Sequence, residues 1–198
     1  WIQHTYKTRW GKPLSPKSAA DYVGYFSTAL NAAVRAEVIP ENPIMTLAAT
    51  ERIKVPESKR EYLTIDEIKV LIDTECPRED VKRAYLFSCY CGLRLSDIYA
   101  LRWKDIFLDG EQYRVSTVMQ KTTTPIYLPL SRHAVRWLPE RNGEGDESRI
   151  FAGLPAEPNI NKVLAKWVAA AGITKKITYH TSRHSFATMM LTLGADLY

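Results

Sequence analysis

The chain has 198 residues, 45% of them hydrophobic and 25% charged, which suits a packed globular protein of one medium domain or a small domain plus a larger one and excludes a disordered chain. Its formal charge of +5 fits a polyanionic partner. No apolar run approaches the ~20 residues of a membrane helix and the first residues are too polar for a signal peptide, so no membrane is expected and the cytoplasm is the expected location.

The positive charge is unevenly placed. Residues 1–60 hold nine Lys/Arg against five Asp/Glu, while the other 138 hold eighteen against seventeen. Lys7, Arg9, Lys12 and Lys17 are therefore candidate contacts to a DNA backbone. Ser15-Pro16 reads as a helix start, a capping hydroxyl followed by proline in the first turn, and Val23, Phe26, Leu30, Ala33, Val34 and Val38 follow at helical spacing until Pro40 and Asn42-Pro43 end it. Residues 50–61 are mostly charged, with one proline, and read as a linker. Thr64-Ile-Asp-Glu67 is a capping box that opens a new domain. An apolar helix over Val81–Tyr90 stops at Gly92, and Ser96 is placed to cap a short helix over Asp97–Leu101, with Arg94 in the turn between.

Tyr113–Met119 and Ile126–Leu130 are rich in β-forming residues and flank Gln120–Pro125, which predicts a short hairpin or meander with Lys121 near its tip. Helical pattern returns at Ser131–Leu138, again from Asn159 with Ile160, Val163, Leu164, Trp167, Val168 and Ala171 inward, and finally over Thr181–Leu193 up to Gly194. Of the three cysteines, Cys76, Cys89 and Cys91, none forms a CxxC pair, and buried reduced thiols are expected.

Each polar motif has an ordinary reading when taken alone. Arg94 in Gly92-Leu-Arg-Leu-Ser-Asp97 could simply pair with Asp97 at a helix junction. His180, Arg183 and His184 stand at i, i+3 and i+4, which makes a surface cluster of donors on one side of a helix start. The two histidines have zinc-like spacing, but the glutamate of an HExxH motif and a third ligand are missing, so no metal is expected.

Their order is more specific than the parts. Gly-Leu-Arg-x-Ser-Asp at a helix turn, a hairpin lysine, then His180-Thr-Ser-Arg-His-Ser-Phe-Ala-Thr188 on a late helix resemble the tyrosine recombinase, or phage integrase, family. Leu101-Arg-Trp-Lys-Asp-Ile106, Gln120–Thr123 and Leu128-Pro-Leu130 extend the likeness over most of residues 61–198, and residues 15–47 resemble the closing helices of the family's core-binding domain. The resemblance implies a mainly α fold with a small β-sheet or hairpin: residues 1–49 from a helical core-binding domain, 50–61 a linker, and 62–198 an integrase catalytic domain.

The chemistry implied is site-specific recombination, the integration or excision of a mobile element through a 3′-phosphotyrosyl intermediate. Such a reaction gathers negative charge on one phosphate, and two arginine forks clamp that charge better than lysines would. The resemblance assigns the clamp to Arg94 and Arg183, a donor or proton-handling role to His180, protonation of the leaving oxygen to Lys121, and a DNA contact to Thr122 beside it. Asp97 and His184 are supporting residues, Asp97 orienting Arg94. The implied partners are double-stranded DNA and further protomers in a dimeric or tetrameric synapse, with no cofactor and no small-molecule substrate. The attacking tyrosine and a preceding Leu-Gly-His motif belong after Gly194. Tyr198 comes too early to be that nucleophile, and Tyr99 and Tyr179 read as packing residues, so the chain is expected to lack it and to be inactive alone. The alternative is a non-catalytic DNA-binding regulator with the same fold.

Overall fold

The computed structural model describes residues 5–57 and 60–195, and the chain divides into two compact units, Trp1–Lys59 and Arg60–Tyr198. In the first, α1 (Pro16–Arg35) begins at Ser15, whose hydroxyl accepts from the Ser18 N–H, with Pro16 in the first turn. Asn42 then fixes the returning chain: its Nδ2 donates to the Ser27 carbonyl, the Ser27 hydroxyl and Asn31 Oδ1, and its Oδ1 accepts from the Ile44 N–H. Turns, not a second helix, follow α1 over residues 36–47. The apolar stripe of α1 is only partly covered, since Val23, Leu30, Ala33 and Val34 are half-buried while Phe26 is exposed; Val38, expected to continue the helix, lies beyond its end at Arg35 and is exposed.

The second unit is built around α3 (Glu79–Cys91), whose residues from Ala84 to Cys89 are all buried, the signature of a helix enclosed on every side. Before it stands α2 (Ile65–Asp73), which carries the expected capping box, with the Thr64 hydroxyl accepting from the Glu67 N–H and Glu67 accepting from the Thr64 N–H. Its C-terminal carbonyls are met by side chains: Lys82 Nζ donates to the carbonyls of Ile72 and Thr74, and Trp167 Nε1 donates to Thr74 as well. Against α3 pack α4 (Leu95–Ala100), α5 (Arg132–Arg136), α6 (Glu157–Ala170) and α7 (Thr181–Thr192). Trp167 of α6 and Tyr179 meet Tyr85 edge-on at 6.1 and 5.7 Å, so three large aromatic rings fill the centre. Cys89 and Cys91 are buried free thiols, and Cys76 is a half-buried one.

Three antiparallel strands form the small sheet: β1 (Ile106–Asp109), β2 (Gln112–Val118) and β3 (Pro125–Pro129), in the order β1-β2-β3. Val115 pairs with Ile106 on one side and Leu128 on the other, and it is the buried residue of the sheet. β2 and β3 are the strands predicted from sequence. β1 was not separately predicted, because four residues after a 3-10 turn at Trp103–Asp105 carry little periodicity of their own.

Three helix starts differ from expectation, the first being α3, which begins at Glu79 rather than Val81. α4 begins at Leu95, and Ser96 is inside it; Asp97, the third helical residue, accepts from the Arg94 N–H and so caps the helix from within. α6 begins at Glu157 rather than Asn159, since Pro158 suits the first turn. Gly92 ends α3 in the left-handed region at φ +71°, and a Cβ there would lie 2.4 Å from the Phe186 ring of α7. The chain thus turns into Arg94 with α7 directly against it.

Candidate functional site

Arg94, His180 and Arg183 come from distant parts of the sequence and line one recess of about 190 Å³, together with Leu93, Ser96 and Glu157. Arg94 is the N-cap residue of α4, His180 the N-cap residue of α7, and Arg183 lies in the first turn of α7. The local fold explains the approach. Arg183 Nη1 donates to the Gly92 carbonyl at 2.7 Å, which draws the α7 arginine onto the turn that presents Arg94. Burial, then the neighbouring charge of Arg94, lowers the Arg183 pKa below the ordinary guanidinium value, with Asp97 acting in the opposite sense.

Neither guanidinium has a carboxylate partner among the described residues. Arg94 Nη1 donates to the Met119 thioether, and among the described residues no salt bridge involves Arg94 or Arg183. Two like charges held together, neither of them salt-bridged among the described residues, beside an exposed imidazole, make a recess suited to an oxyanion, with Glu157 also on its lining.

Asp97 is 2% exposed and its carboxylate touches backbone, not the Arg94 guanidinium. Oδ2 accepts from the Arg94 N–H at 3.2 Å and Oδ1 from the Gln120 N–H at 2.8 Å. It therefore joins the α4 start to the β2–β3 hairpin, one residue before Lys121. Lys121 and Thr122 are exposed in the hairpin turn and neither lines the recess. The Thr122 carbonyl accepts from the hydroxyls of Thr123 and Thr124.

His184 lies one turn along α7 from His180, their rings edge-on at 4.8 Å. Burial, then the charges of His180, Arg60 and Arg183, hold its pKa below the ordinary 6.5. The folded state then binds fewer protons than the unfolded chain as pH falls from about 6.5, so stability is undiminished above that value and lost as pH drops through the lower, folded pKa. Urea unfolding of the wild type is expected to show lower stability at pH 5 than at pH 7.5, and His184→Gln to narrow the gap. An equal gap in the variant would remove His184 as its source.

The N-terminal cations do not share one environment. Lys17 is paired with Asp21 at 2.7 Å, Arg9 stands over the Trp10 ring at 4.5 Å, and Lys7 and Lys12 are exposed. Tyr179 lines the recess, but its hydroxyl donates to the Ala84 carbonyl and bonds Ser88, and burial raises its pKa well above the ordinary phenol value. Tyr99 donates to the Pro155 carbonyl. Tyr198 lies outside the described residues. Sequence reasoning missed Met119 and Glu157, which no local pattern marks, and the Gly92 carbonyl, whose role depends on tertiary packing.

The fold, mostly helical with one small antiparallel sheet, and the arginine-rich recess define a class that comparison with known proteins makes specific. The model of the phage integrase family matches residues 61–198, and the chain belongs to that family. Among curated relatives, tyrosine recombinase XerC of Salmonella typhi is 30% identical over 199 residues, a match covering 94% of this chain and 64% of the relative. The integrase of the Tn1549 transposon, solved in complex with circular intermediate DNA, shares the fold at a TM-score of 0.69 and 15% identity, over 93% of this chain and 69% of that one. A lambda integrase dimer bound to a COC′ core site does so at 0.65 and 20%, over 91% and 66%. The chain spans between about half and two thirds of the length of the curated relatives it matches. No helix of the described residues is long and apolar enough to cross a membrane.

Proposed function

We propose that this chain is the DNA-binding and phosphate-clamping part of a site-specific recombinase that integrates or excises a mobile element. The observation that carries the reading is the recess itself: Arg94 and Arg183, neither of them in a salt bridge among the described residues, converge with His180. In this reading the two forks hold the non-bridging oxygens of one DNA phosphate as charge builds on them, and His180 donates to the same group or handles the nucleophile's proton. Lys121 reaches the leaving oxygen from the hairpin, Thr122 contacts the backbone beside it, and Lys7, Arg9, Lys12 and Lys17 add phosphate contacts. Asp97 fixes the hairpin relative to Arg94, and His184 supports the His180 ring. Further protomers assemble on the same DNA as dimers or tetramers.

The attacking group is a tyrosine that becomes joined to the 3′-phosphate, which preserves bond energy for rejoining. Tyr179 is the sole tyrosine lining the recess among the described residues, and its hydroxyl is committed to Ala84 and Ser88. We therefore place the nucleophile outside the described residues. The same observation favours the second reading, a DNA-binding regulator that retains the fold without cleavage.

Both readings predict that binding of duplex DNA weakens steeply with salt, as each lysine or arginine contact releases condensed counter-ions. A flat salt response measured by fluorescence anisotropy would argue against both. Incubation with nicked duplexes bearing the recombination site separates them: the 198-residue chain should form no covalent adduct, whereas a chain that carries the attacking tyrosine should form one. If no such chain that binds the site forms an adduct, the regulator is favoured. An adduct on the short chain that Tyr198→Phe abolishes would relocate the nucleophile.

A further inference from the structure

Among the described residues, the Arg94 guanidinium has one hydrogen-bond partner, the thioether of Met119, with Nη1 donating to Sδ at 3.3 Å. The sulfur is delivered from a fixed backbone. The Met119 N–H donates to the Thr124 carbonyl and its own carbonyl accepts from the Thr123 N–H, both at 2.9 Å, so Met119 closes the turn that carries Lys121. The next residue is tied to the same place, since the Gln120 N–H donates to Asp97 Oδ1. The side chain of Met119 is half-buried and borders an apolar cleft with Gly92, Ile126 and Phe186, against which the flexible thioether can pack.

We propose that Met119 is a positioning residue for Arg94, which it orients relative to the Lys121 hairpin without reducing its charge. This rests on reading the recess as a phosphate site. An arginine beside a second arginine is pushed toward solvent, and its long side chain has many rotamers to occupy. A carboxylate would hold it but would neutralise the charge that an anion needs. A thioether is a weak, neutral acceptor, so it restrains one edge of the guanidinium and leaves the remaining N–H groups free to bind. Its place two residues ahead of Lys121 means that the hairpin and Arg94 are set by a shared contact. Methionine serves here because leucine would fill the same space without an acceptor.

The test is titration of the whole chain with inorganic phosphate, followed through the Nε–H NMR signals of Arg94 and Arg183, in the wild type, Arg94→Ala, Met119→Leu and Met119→Gln. Arg94→Ala should abolish the saturable response at Arg183. Met119→Leu should weaken phosphate binding about threefold, as suits loss of one weak acceptor. Met119→Gln returns a neutral acceptor at similar reach and should restore wild-type affinity. Thermal unfolding of each variant reports whether it is folded. Wild-type affinity in Met119→Leu, with Arg94→Ala inactive, would overturn the positioning role and leave the phosphate site standing. Equal weakening in the leucine and glutamine variants would reduce Met119 to packing and overturn it too. Undiminished binding in Arg94→Ala would overturn the phosphate reading itself, and this inference with it.

Discussion

On the recombinase reading, Arg183→Ala in a chain that carries the attacking tyrosine is expected to slow strand cleavage about 10²- to 10³-fold, the scale found when one preorganised donor to a developing oxyanion is removed. Duplex affinity should fall far less, because Arg183 is one phosphate contact among several; the slope of log affinity against log salt should shrink by about 0.9. The asymmetry follows from where the charge is needed. A contact equal in the ground and transition states would change binding alone, whereas a fork matched to the pentavalent phosphate acts mainly on the rate. Folding should survive the change. Arg183 gives up a hydrogen bond to the Gly92 carbonyl, but its removal also relieves repulsion from Arg94. Arg183→Lys retains charge without the two-pronged geometry and should recover binding better than cleavage. Single-turnover cleavage on a nicked site, beside anisotropy titrations at several salt concentrations, would check this. Equal losses of rate and affinity would show that the residue only anchors DNA.

What could be read from the sequence was what depends on neighbours a few positions away. The Thr64–Glu67 capping box, the Ser15-Pro16 start and Gly92 as a helix stop are local chemistry, and each stands where the residue types require it. The inward face of α6 followed from its period, with Ile160, Leu164, Trp167 and Val168 buried. β1 escaped because it is stabilised by pairing with β2 rather than by its own four residues. Ser96 misled because a serine is a good cap by type, yet the bond that starts α4 comes from Asp97 reaching back. On α1 the spacing of Phe26 predicted a helix correctly but said nothing of what covers it; within its unit the ring is 60% exposed.

The candidate site divides the same way. Arg94, His180 and Arg183 were named from motif order, and the recess they share rests on α7 packing across α3, a contact between residues some ninety positions apart that no period records. Asp97 was expected to address the Arg94 side chain. Its carboxylate instead bonds the backbone on two elements, a role that requires knowing where the hairpin lies. Met119 carried no signal at all, since a methionine ending a strand looks like packing.

Gly92→Ala is expected to destabilise the 60–198 unit by about 2–5 kcal/mol, lowering Tm by roughly 5–20 °C. Two effects add. Gly92 holds φ at +71°, a region in which a Cβ costs about 1–2 kcal/mol. The new methyl would also lie 2.4 Å from Cδ1 and 2.8 Å from Cε1 of Phe186, so the ring or all of α7 must move, an overpacking penalty of about 1–3 kcal/mol. The second effect reaches the recess, because the Gly92 carbonyl accepts from Arg183, which lies one turn before Phe186 on the same helix. Phosphate affinity should therefore fall together with Tm. Two further variants separate the causes. Gly92→Asn tolerates the left-handed backbone but carries the same Cβ, so a loss as large as that of alanine assigns the penalty to the clash. Phe186→Ala introduced with Gly92→Ala removes the obstacle and leaves the strain, so the double variant should lose less than the two single losses added together, by about 1–3 kcal/mol. Thermal and urea unfolding of the wild type, the three single variants Gly92→Ala, Gly92→Asn and Phe186→Ala, and the double variant would measure this. A Gly92→Ala protein with wild-type Tm and phosphate affinity would mean that α7 does not lie as close to the Gly92 turn as the site requires.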